Sequence, residues 1–305
     1  MADIKLFRLD GDKVQELQGH PGAVEKSVQT LMERHLESLL GVKLLASEYS
    51  TGKTHGGRID TLGIDENGCP VIIEYKRTID ENVTSQGLYY LEWLLDHKGE
   101  FKLLVMGSLG QEAADRIEWL GPRLLCIAGD FTKYDTSAVQ QMKHNVELIR
   151  YRRYGDDLLL LELANASTPP VAALPGQLGP KTPAKTGTVY PTATEVLQKA
   201  DARIKELFES LKTFILARGD DIQFKPMRSY FAFRRIRNFA CVDVRSHRLL
   251  VFVKVSPDSI TLEPGFTRDV REIGHFGTGD LEITIASPGD LERAKPLIIK
   301  SDEVS

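Results

Sequence analysis

The sequence predicts an α/β chain: a mixed sheet flanked by helices, followed by a smaller α+β domain. Three observations carry this. Short apolar runs of strand length alternate with helical patterns through the first half; a proline-rich stretch with few large apolar residues then interrupts the chain; and beyond it a helical pattern precedes a series of short strands. At 305 residues, 42% hydrophobic and 27% charged, the chain is long enough for two domains.

The elements follow in order. Residues 3–18 read as a short hairpin about Asp10-Gly11, and residues 23–40 place Val24, Val28, Leu31, Met32, Leu36 and Leu39 at helical spacing. A strand is expected over residues 42–49. Next comes Gly57-Arg58-Ile59-Asp60, an Asp-Glu-Asn-Gly turn, and Val71-Ile-Ile-Glu-Tyr-Lys76, which together read as one hairpin. A helix then runs from an N-cap at Asp80, with Glu81 in its first turn, to about His97. Phe101 to Met106 is a mostly apolar run suited to a buried strand, Gln111 to Leu120 a helix, and Arg123 to Ala128 a strand. Val146 to Leu163, interrupted at Tyr154-Gly155-Asp156-Asp157, fits a closing hairpin.

The expected organisation is an N-terminal domain over 1–164, a Pro/Ala/Thr linker over 165–193 with prolines at 169, 170, 175, 180, 183 and 191, and an α+β accessory domain over 194–305. The last begins with a helix from Thr194 to Arg218. Strands follow around 222–224, 230–234, 239–244, 249–255 and 281–285, then a short helix from Pro288.

The chemistry concentrates in the hairpin at Asp60. Strand side chains alternate with period 2, so Glu74 and Lys76 share a face, and loop length decides whether Asp60 joins them. A three-residue loop of Glu66, Asn67 and Gly68, with glycine in the left-handed region, pairs Asp65 with Cys69 and sets Asp60 directly opposite Glu74. Their Cβ atoms would then lie roughly 4.5–5.5 Å apart. A two- or four-residue loop pairs Asp60 with Ile73 or Tyr75 instead. Gly68 in third place favours the first register.

Two adjacent carboxylates repel unless a cation joins them. Taken alone, Glu-x-Lys fits a wet strand edge neutralised by its own lysine. The following helix adds weight, because Gln86 and Tyr90 stand one turn apart on one of its faces.

Together, Gly57-Arg58-Ile59-Asp60, Glu74-Tyr75-Lys76 and Gln86-x-x-x-Tyr90 resemble the PD-(D/E)xK nuclease superfamily, closest to the catalytic domain of the NucS-type endonucleases, with a Q-x-x-x-Y motif like that of RecB-type nucleases. The resemblance covers roughly residues 20–130. It implies a restriction-endonuclease-like mixed sheet and a metal-dependent endonuclease hydrolysing phosphodiester bonds in DNA, in repair, restriction or defence. It further implies that Asp60, Glu74 and the backbone carbonyl of Tyr75 hold Mg²⁺ or Mn²⁺. Lys76 would orient or help to deprotonate the attacking water, and Gln86 and Tyr90 would position the substrate backbone or the groups behind the ligands. Superfamily members often add an acid from the preceding helix; Glu33 and Glu37 are the candidates here, with Glu37 ranked first. The domain that NucS-type enzymes carry before the nuclease core has no counterpart ahead of it in this sequence, so mismatch specificity does not transfer.

Other residues complete the expectations. Lys53, His55, Arg58 and Arg77 flank the hairpin as candidate phosphate contacts, although Gly52-Lys53-Thr54 lacks the leading glycine and the strand-loop-helix order of a P-loop. In the accessory domain, Arg228, Arg234 and Arg235 are interleaved with Tyr230, Phe231 and Phe233, a pattern that fits base stacking with phosphate contacts and equally a core face beside a solvated one. That domain resembles a small domain of unknown function.

Composition narrows the setting. A net charge of -4 provides no global attraction to nucleic acid, so any such surface is local. Three distant cysteines, Cys69, Cys126 and Cys241, support neither a disulfide framework nor a zinc ribbon. No apolar run approaches 18 residues and no signal-peptide core is present, so a cytoplasmic protein with no membrane partner is expected. DNA is the expected partner, single-stranded, branched or duplex, and cutting both strands of a duplex would favour a homodimer. The rival reading is a catalytically silent module on the same fold that binds nucleic acid or protein.

Overall fold

The computed structural model describes residues 4–11, 13–20, 25–76, 83–155, 157–167 and 191–305. Two compact units emerge: Met1–Ile64, Pro70–Asp115 and Gly121–Pro169 form one, and Asp65–Cys69, Arg116–Leu120 and Pro170–Ser305 the other. Most of the expected linker lies outside the described residues.

In the first unit, β1 (Leu6–Asp10) and β2 (Lys13–Leu17) form a separate two-stranded sheet. The main sheet has seven strands: β3 (Gly19–His20), β4 (Val42–Ser50), β5 (Arg58–Asp65), β6 (Pro70–Lys76), β7 (Arg123–Ala128), β8 (Asn145–Tyr154) and β9 (Leu158–Ala166). Its order is β3-β8-β7-β6-β5-β4, with β9 also on β8. The β6-β7 and β7-β8 pairs are parallel and β5-β6 and β8-β9 antiparallel, so the sheet is mixed as expected. The central strands β6 and β7 are buried almost throughout, which explains their near-continuous apolar sequence.

The helices of this unit are α1 (Glu25–Arg34), α2 (Leu36–Leu40), α3 (Gly52–His55), α4 (Val83–Asp96), α5 (Lys98–Leu109), α6 (Gln111–Asp115) and α7 (Lys133–Gln140). They cover both faces of the sheet. From α1, Glu33 accepts a hydrogen bond from the side chain of Thr61 on β5. On the other face α4 packs so tightly that a Cβ on Gly87 would lie 2.5 Å from Leu124 Cδ1.

Four expectations are corrected here. The helix over 23–40 is broken at His35 into α1 and α2. The run Phe101 to Met106 is not a strand: it lies inside α5, where Phe101 and Val105, four residues apart, are the buried positions. The helix expected over 111–120 ends at Asp115. The expected linker also begins too early, because Asn165 belongs to β9 and its side-chain amide donates to Thr136 O at 2.5 Å. Asp80, Glu81 and Arg77 lie outside the described residues.

The second unit is a six-stranded sheet: β10 (Gln223–Pro226), β11 (Phe231–Arg234), β12 (Asn238–Val244), β13 (Leu249–Val253), β14 (Thr267–Asp269) and β15 (Leu281–Ile285), in the order β10-β11-β12-β13-β15-β14. Helices α8 (Ala193–Lys199), α9 (Ala202–Leu216) and α10 (Pro288–Glu303) complete it. The single helix expected over 194–218 is divided because Asp201 caps a new one, its carboxylate accepting from Ile204 N at 2.8 Å. The C-terminal helix is 16 residues long rather than short. Ile204, Leu207, Phe208, Leu211 and Ile215 of α9 join Phe231, Phe233, Val242, Val251 and Ile283 in one apolar core.

Asp302 anchors α10. Its carboxylate accepts from Arg218 Nε at 2.9 Å and Arg235 Nε at 2.8 Å. Burial acts to raise its pKa, but the hydrogen bonds from Arg235 and Arg218 outweigh it and hold the group below its ordinary value of 3.8. A carboxylate with a depressed native pKa contributes stability that is present above the unfolded pKa and is lost as pH falls through the native one. Asp302→Asn is therefore expected to lose ~1–2 kcal/mol at pH 7 in thermal melts, because it removes charge-assisted bonds to two partly exposed arginines. The gap from wild type should narrow as pH drops below about 4; a gap independent of pH would refute the charge assignment.

Candidate active site

The site is built on the β5-β6 hairpin. Asp65 N donates to Cys69 O and Gly68 N to Asp65 O, both at 2.9 Å, which closes a three-residue loop. Gly68 sits at φ 78°, the left-handed conformation such a loop requires. The Asp65 carboxylate pins the turn further by accepting from the backbone N–H groups of Asn67 and Cys69, each at 2.9 Å. The register that follows is Thr61↔Ile73, Leu62↔Ile72 and Gly63↔Val71, and its continuation by one residue sets Asp60 opposite Glu74.

At that point side chains take over from the ladder. Asp60 N donates to Glu74 Oε1 at 3.3 Å, and Tyr75 N donates to Asp60 Oδ2 at 3.1 Å. Each carboxylate thus receives a main-chain N–H from the opposite strand, and the two acids are held side by side. Glu74 is fully buried, at 0% exposure, next to the equally buried Cys126 of β7. Burial, and after it the charges of Glu74 and Asp135, pushes the Cys126 thiol far up, so it stays protonated. All three cysteines are free and buried. Lys76, half-buried, follows Glu74 on the same face of β6.

Gln86 and Tyr90 of α4 do meet. Gln86 Nε2 donates to Tyr90 Oη at 3.2 Å, and the same oxygen accepts from Arg58 N at 3.1 Å. Tyr90 is thereby tied to the strand that carries Asp60. Gly57 makes the approach feasible, since a Cβ there would sit 2.4 Å from Tyr90 Cε1 and 2.9 Å from its Oη. Gly57→Ala should displace the ring and destabilise the first unit by about 1–3 kcal/mol, which thermal melts would register. Adding Tyr90→Leu should recover most of the loss, and no recovery would show that the clash lies elsewhere.

Beneath the hairpin lies a polar network that sequence reasoning missed. Gln29 Nε2 donates to Asp60 O at 2.9 Å and to Glu33 Oε1 at 3.0 Å. Glu33 also accepts from Thr61 Oγ1 at 2.6 Å and Ser47 Oγ at 3.1 Å. The hydroxyls of Thr61 and Tyr75 lie 3.4 Å apart, and burial pushes the Tyr75 phenol well up. Glu33 was a candidate from the sequence, but as an acid for the ion; the signal for the network was Gln29, a polar residue among the apolar Val28 and Met32 of α1.

The structure does not bring Glu37 to the carboxylates. It sits on α2, 70% exposed, with its carboxylate 3.9 Å from Lys43 Nζ, because the break at His35 separates it from the helix that carries Glu33. Among the described residues no group of three or more His, Cys, Asp or Glu forms a metal-binding cluster.

The basic residues are placed unevenly. Lys53 is exposed on α3. Arg58 projects into solvent with its Nε 2.5 Å from Glu48 Oε2, and Lys26 Nζ lies 2.5 Å from Glu48 Oε1. The Lys26 hydrogen bond lowers the Glu48 pKa despite partial burial. His55 packs its ring against Tyr89 and His97, with centroids 5.4 and 5.7 Å away. In the second unit Arg228 is exposed, but two phosphate candidates are corrected: Arg234 is 2% exposed and donates to the carbonyls of Arg235 and Ile236, and Arg235 pairs with Asp302 and Asp221. Phe231 and Phe233 belong to the apolar core, so the aromatic alternation is that of a core face.

A family model described as a domain of unknown function (DUF5655) matches residues 193–301. Along nearly its whole length the chain is similar to an uncharacterized protein of Haemophilus influenzae, 28% identical over 302 residues, covering 97% of this chain and 98% of the relative. Among solved structures it is similar to a repair endonuclease from Pyrococcus abyssi, at 18% identity and TM-score 0.29, over 42% of this chain and 47% of that one. It is also similar to EndoMS in a complex with double-stranded DNA, at 17% identity and TM-score 0.25, over 47% and 49% of the two chains.

Proposed function

We propose that the first unit is a divalent-cation-dependent endonuclease acting on DNA, with Asp60, Glu74 and Lys76 as its catalytic residues. The observation that carries this reading is the register of β5 and β6, which holds two carboxylates side by side on adjacent strands, one of them fully buried, with a lysine two residues on. A fully buried carboxylate beside a second acid is costly unless a positive charge joins it. The donor set fits Mg²⁺ or Mn²⁺: two carboxylates and the carbonyl of Tyr75 are hard oxygen ligands, and an ion that retains several waters needs only one or two protein carboxylates. When bound, such an ion supplies Lewis-acid stabilisation of charge on the phosphoryl group and lowers the pKa of water.

The chain's own residues supply the rest. Asp60 and Glu74 fix the anionic pocket, and the hydrogen bonds they accept from the opposite strand hold their oxygens in place. Lys76, on the face of Glu74, orients the attacking water and balances the charge that develops in the transition state. Gln86 and Tyr90 hold the strand entering the site through the N–H of Arg58, and Lys53 and Arg58 stand exposed beside it to meet phosphate oxygens.

Cleavage of end-labelled single-stranded, duplex and branched DNA tests the reading, with Mg²⁺ or Mn²⁺ present or chelated. Wild type should cut only with the ion, and Glu74→Ala and Lys76→Ala should not cut. Metal-dependent cutting that survives both substitutions would refute the assignment, and tight binding without cutting would establish a silent binding module instead.

A further inference from the structure

We infer that Gln29 is a positioning residue of this site: through its side-chain amide, α1 sets where β5 presents the Asp60 carboxylate, and Glu33 fixes Gln29 for that task. The inference rests on the nuclease reading above. It starts from the main chain of Asp60, whose N–H is taken by Glu74 Oε1 at 3.3 Å and whose C=O is taken by Gln29 Nε2 at 2.9 Å. The residue that carries the first carboxylate is therefore held by one side chain from β6 and one from α1.

Gln29 is built for this. It is 3% exposed on the inner side of α1, and a primary amide so buried needs partners for every polar atom. Lys26 Nζ at 3.3 Å marks Oε1 as the acceptor, which leaves the two protons of Nε2 for the two short contacts, Asp60 O and Glu33 Oε1. Ser47 Oγ, at 3.4 Å, is the weaker third. Glu33 in turn holds Thr61 Oγ1 at 2.6 Å. One helix thus grips two successive residues of β5, the first by its backbone and the second by its side chain.

Alternation separates this role from that of a ligand. Thr61 points away from the face that carries Asp60 and Glu74, so the Glu33 carboxylate that receives it lies on the far side of the strand. Gln29 and Glu33 act through Asp60, not on the reacting atoms. Partners behind the ligands of a metal site typically change affinity 10–100-fold when replaced, because ligand oxygens must be held to within about 0.5 Å.

The test uses the full chain and Mn²⁺ alone, with the free ion counted by electron paramagnetic resonance and folding followed by circular dichroism and thermal melts. Gln29→Met keeps the length and helix preference of the side chain but donates nothing. It should weaken Mn²⁺ binding roughly 10–100-fold, and raising Mn²⁺ should restore most of the cleavage rate. Thr30→Ala, on the exposed side of the same helix where its hydroxyl donates only to Lys26 O, should bind Mn²⁺ like wild type. If Gln29→Met does not fold, Glu33→Gln carries the same question, with a smaller loss expected. Mn²⁺ affinity within twofold of wild type, whatever the melting temperature, would reduce Gln29 to a structural role and overturn the inference. A wild-type protein that neither binds Mn²⁺ nor cuts DNA would instead remove the nuclease reading, and this inference with it.

Discussion

Glu74→Gln is expected to lower metal-dependent cleavage by about three orders of magnitude while leaving the protein folded. The substitution keeps size and shape but removes a charge that lies fully buried beside Asp60. Stabilisation of developing charge by a bound ion is worth several kcal/mol, and each 1.36 kcal/mol is a factor of ten in rate, which sets that scale. Stability should move the other way. In the absence of an ion, a neutral amide relieves the repulsion between two carboxylates, so the melting temperature should stay level or rise. Single-turnover cleavage and calorimetry on one preparation check both halves. A variant that melts far lower and cuts proportionally less would show Glu74 to be a structural acid.

The largest loss of stability is expected at a different pair. Arg123 on β7 and Glu147 on β8 form a two-pronged ion pair, Nε to Oε1 at 2.8 Å and Nη2 to Oε2 at 3.0 Å, with side chains 3% and 0% exposed. The parallel register places them two residues apart on one face of the sheet, Arg123 beside Asn145 and Leu125 beside Glu147. Arg123→Ala leaves the Glu147 carboxylate without its guanidinium in a dry interior and should lose ~3–5 kcal/mol, or roughly 6–20 °C in the melting transition of the first unit. Replacing both partners together, Arg123→Met with Glu147→Leu, should return most of it, because an apolar pair of similar volume carries no desolvation penalty. A single substitution that shifts the melt by less than about 2 °C would refute the argument.

How much of this was legible in the sequence depends on the range of the interaction that decides each element. The β5-β6 hairpin was readable to the residue, because a three-residue loop ending in Gly68 allows one register and strand parity does the rest. The strand Arg123–Ala128 was readable as well, since a central parallel strand buried on both faces needs an unbroken apolar run. Phe101 to Met106 shows the limit: six mostly apolar residues have the same local pattern in a buried strand and in a helix, and burial of Phe101 and Val105 decided for helix α5. The site divides along the same line. Alternation placed Glu74 and Lys76 on one face, and helical spacing placed Gln86 and Tyr90 together, both of them local rules. That Glu37 stands apart and Gln29 reaches Asp60 follows from a helix break and a 31-residue sequence separation that no local rule spans. Arg234 and Arg235 were misread for a related reason: their partners, Ile236 O and Asp302, are set by the turn after β11 and by the chain's last helix.

The turn at Glu66, Asn67 and Gly68 makes the candidate chemistry sensitive to arithmetic. A residue removed or inserted there leaves both carboxylates, the lysine and every apolar position in the chain, and the loop can absorb it while the pairing of Asp65 with Cys69 holds. If one strand slips by a residue to keep the three-residue turn instead, its facing is exchanged against the other and Asp60 turns away from Glu74. The loop, which touches no reacting atom, therefore helps to decide whether the acids meet at all.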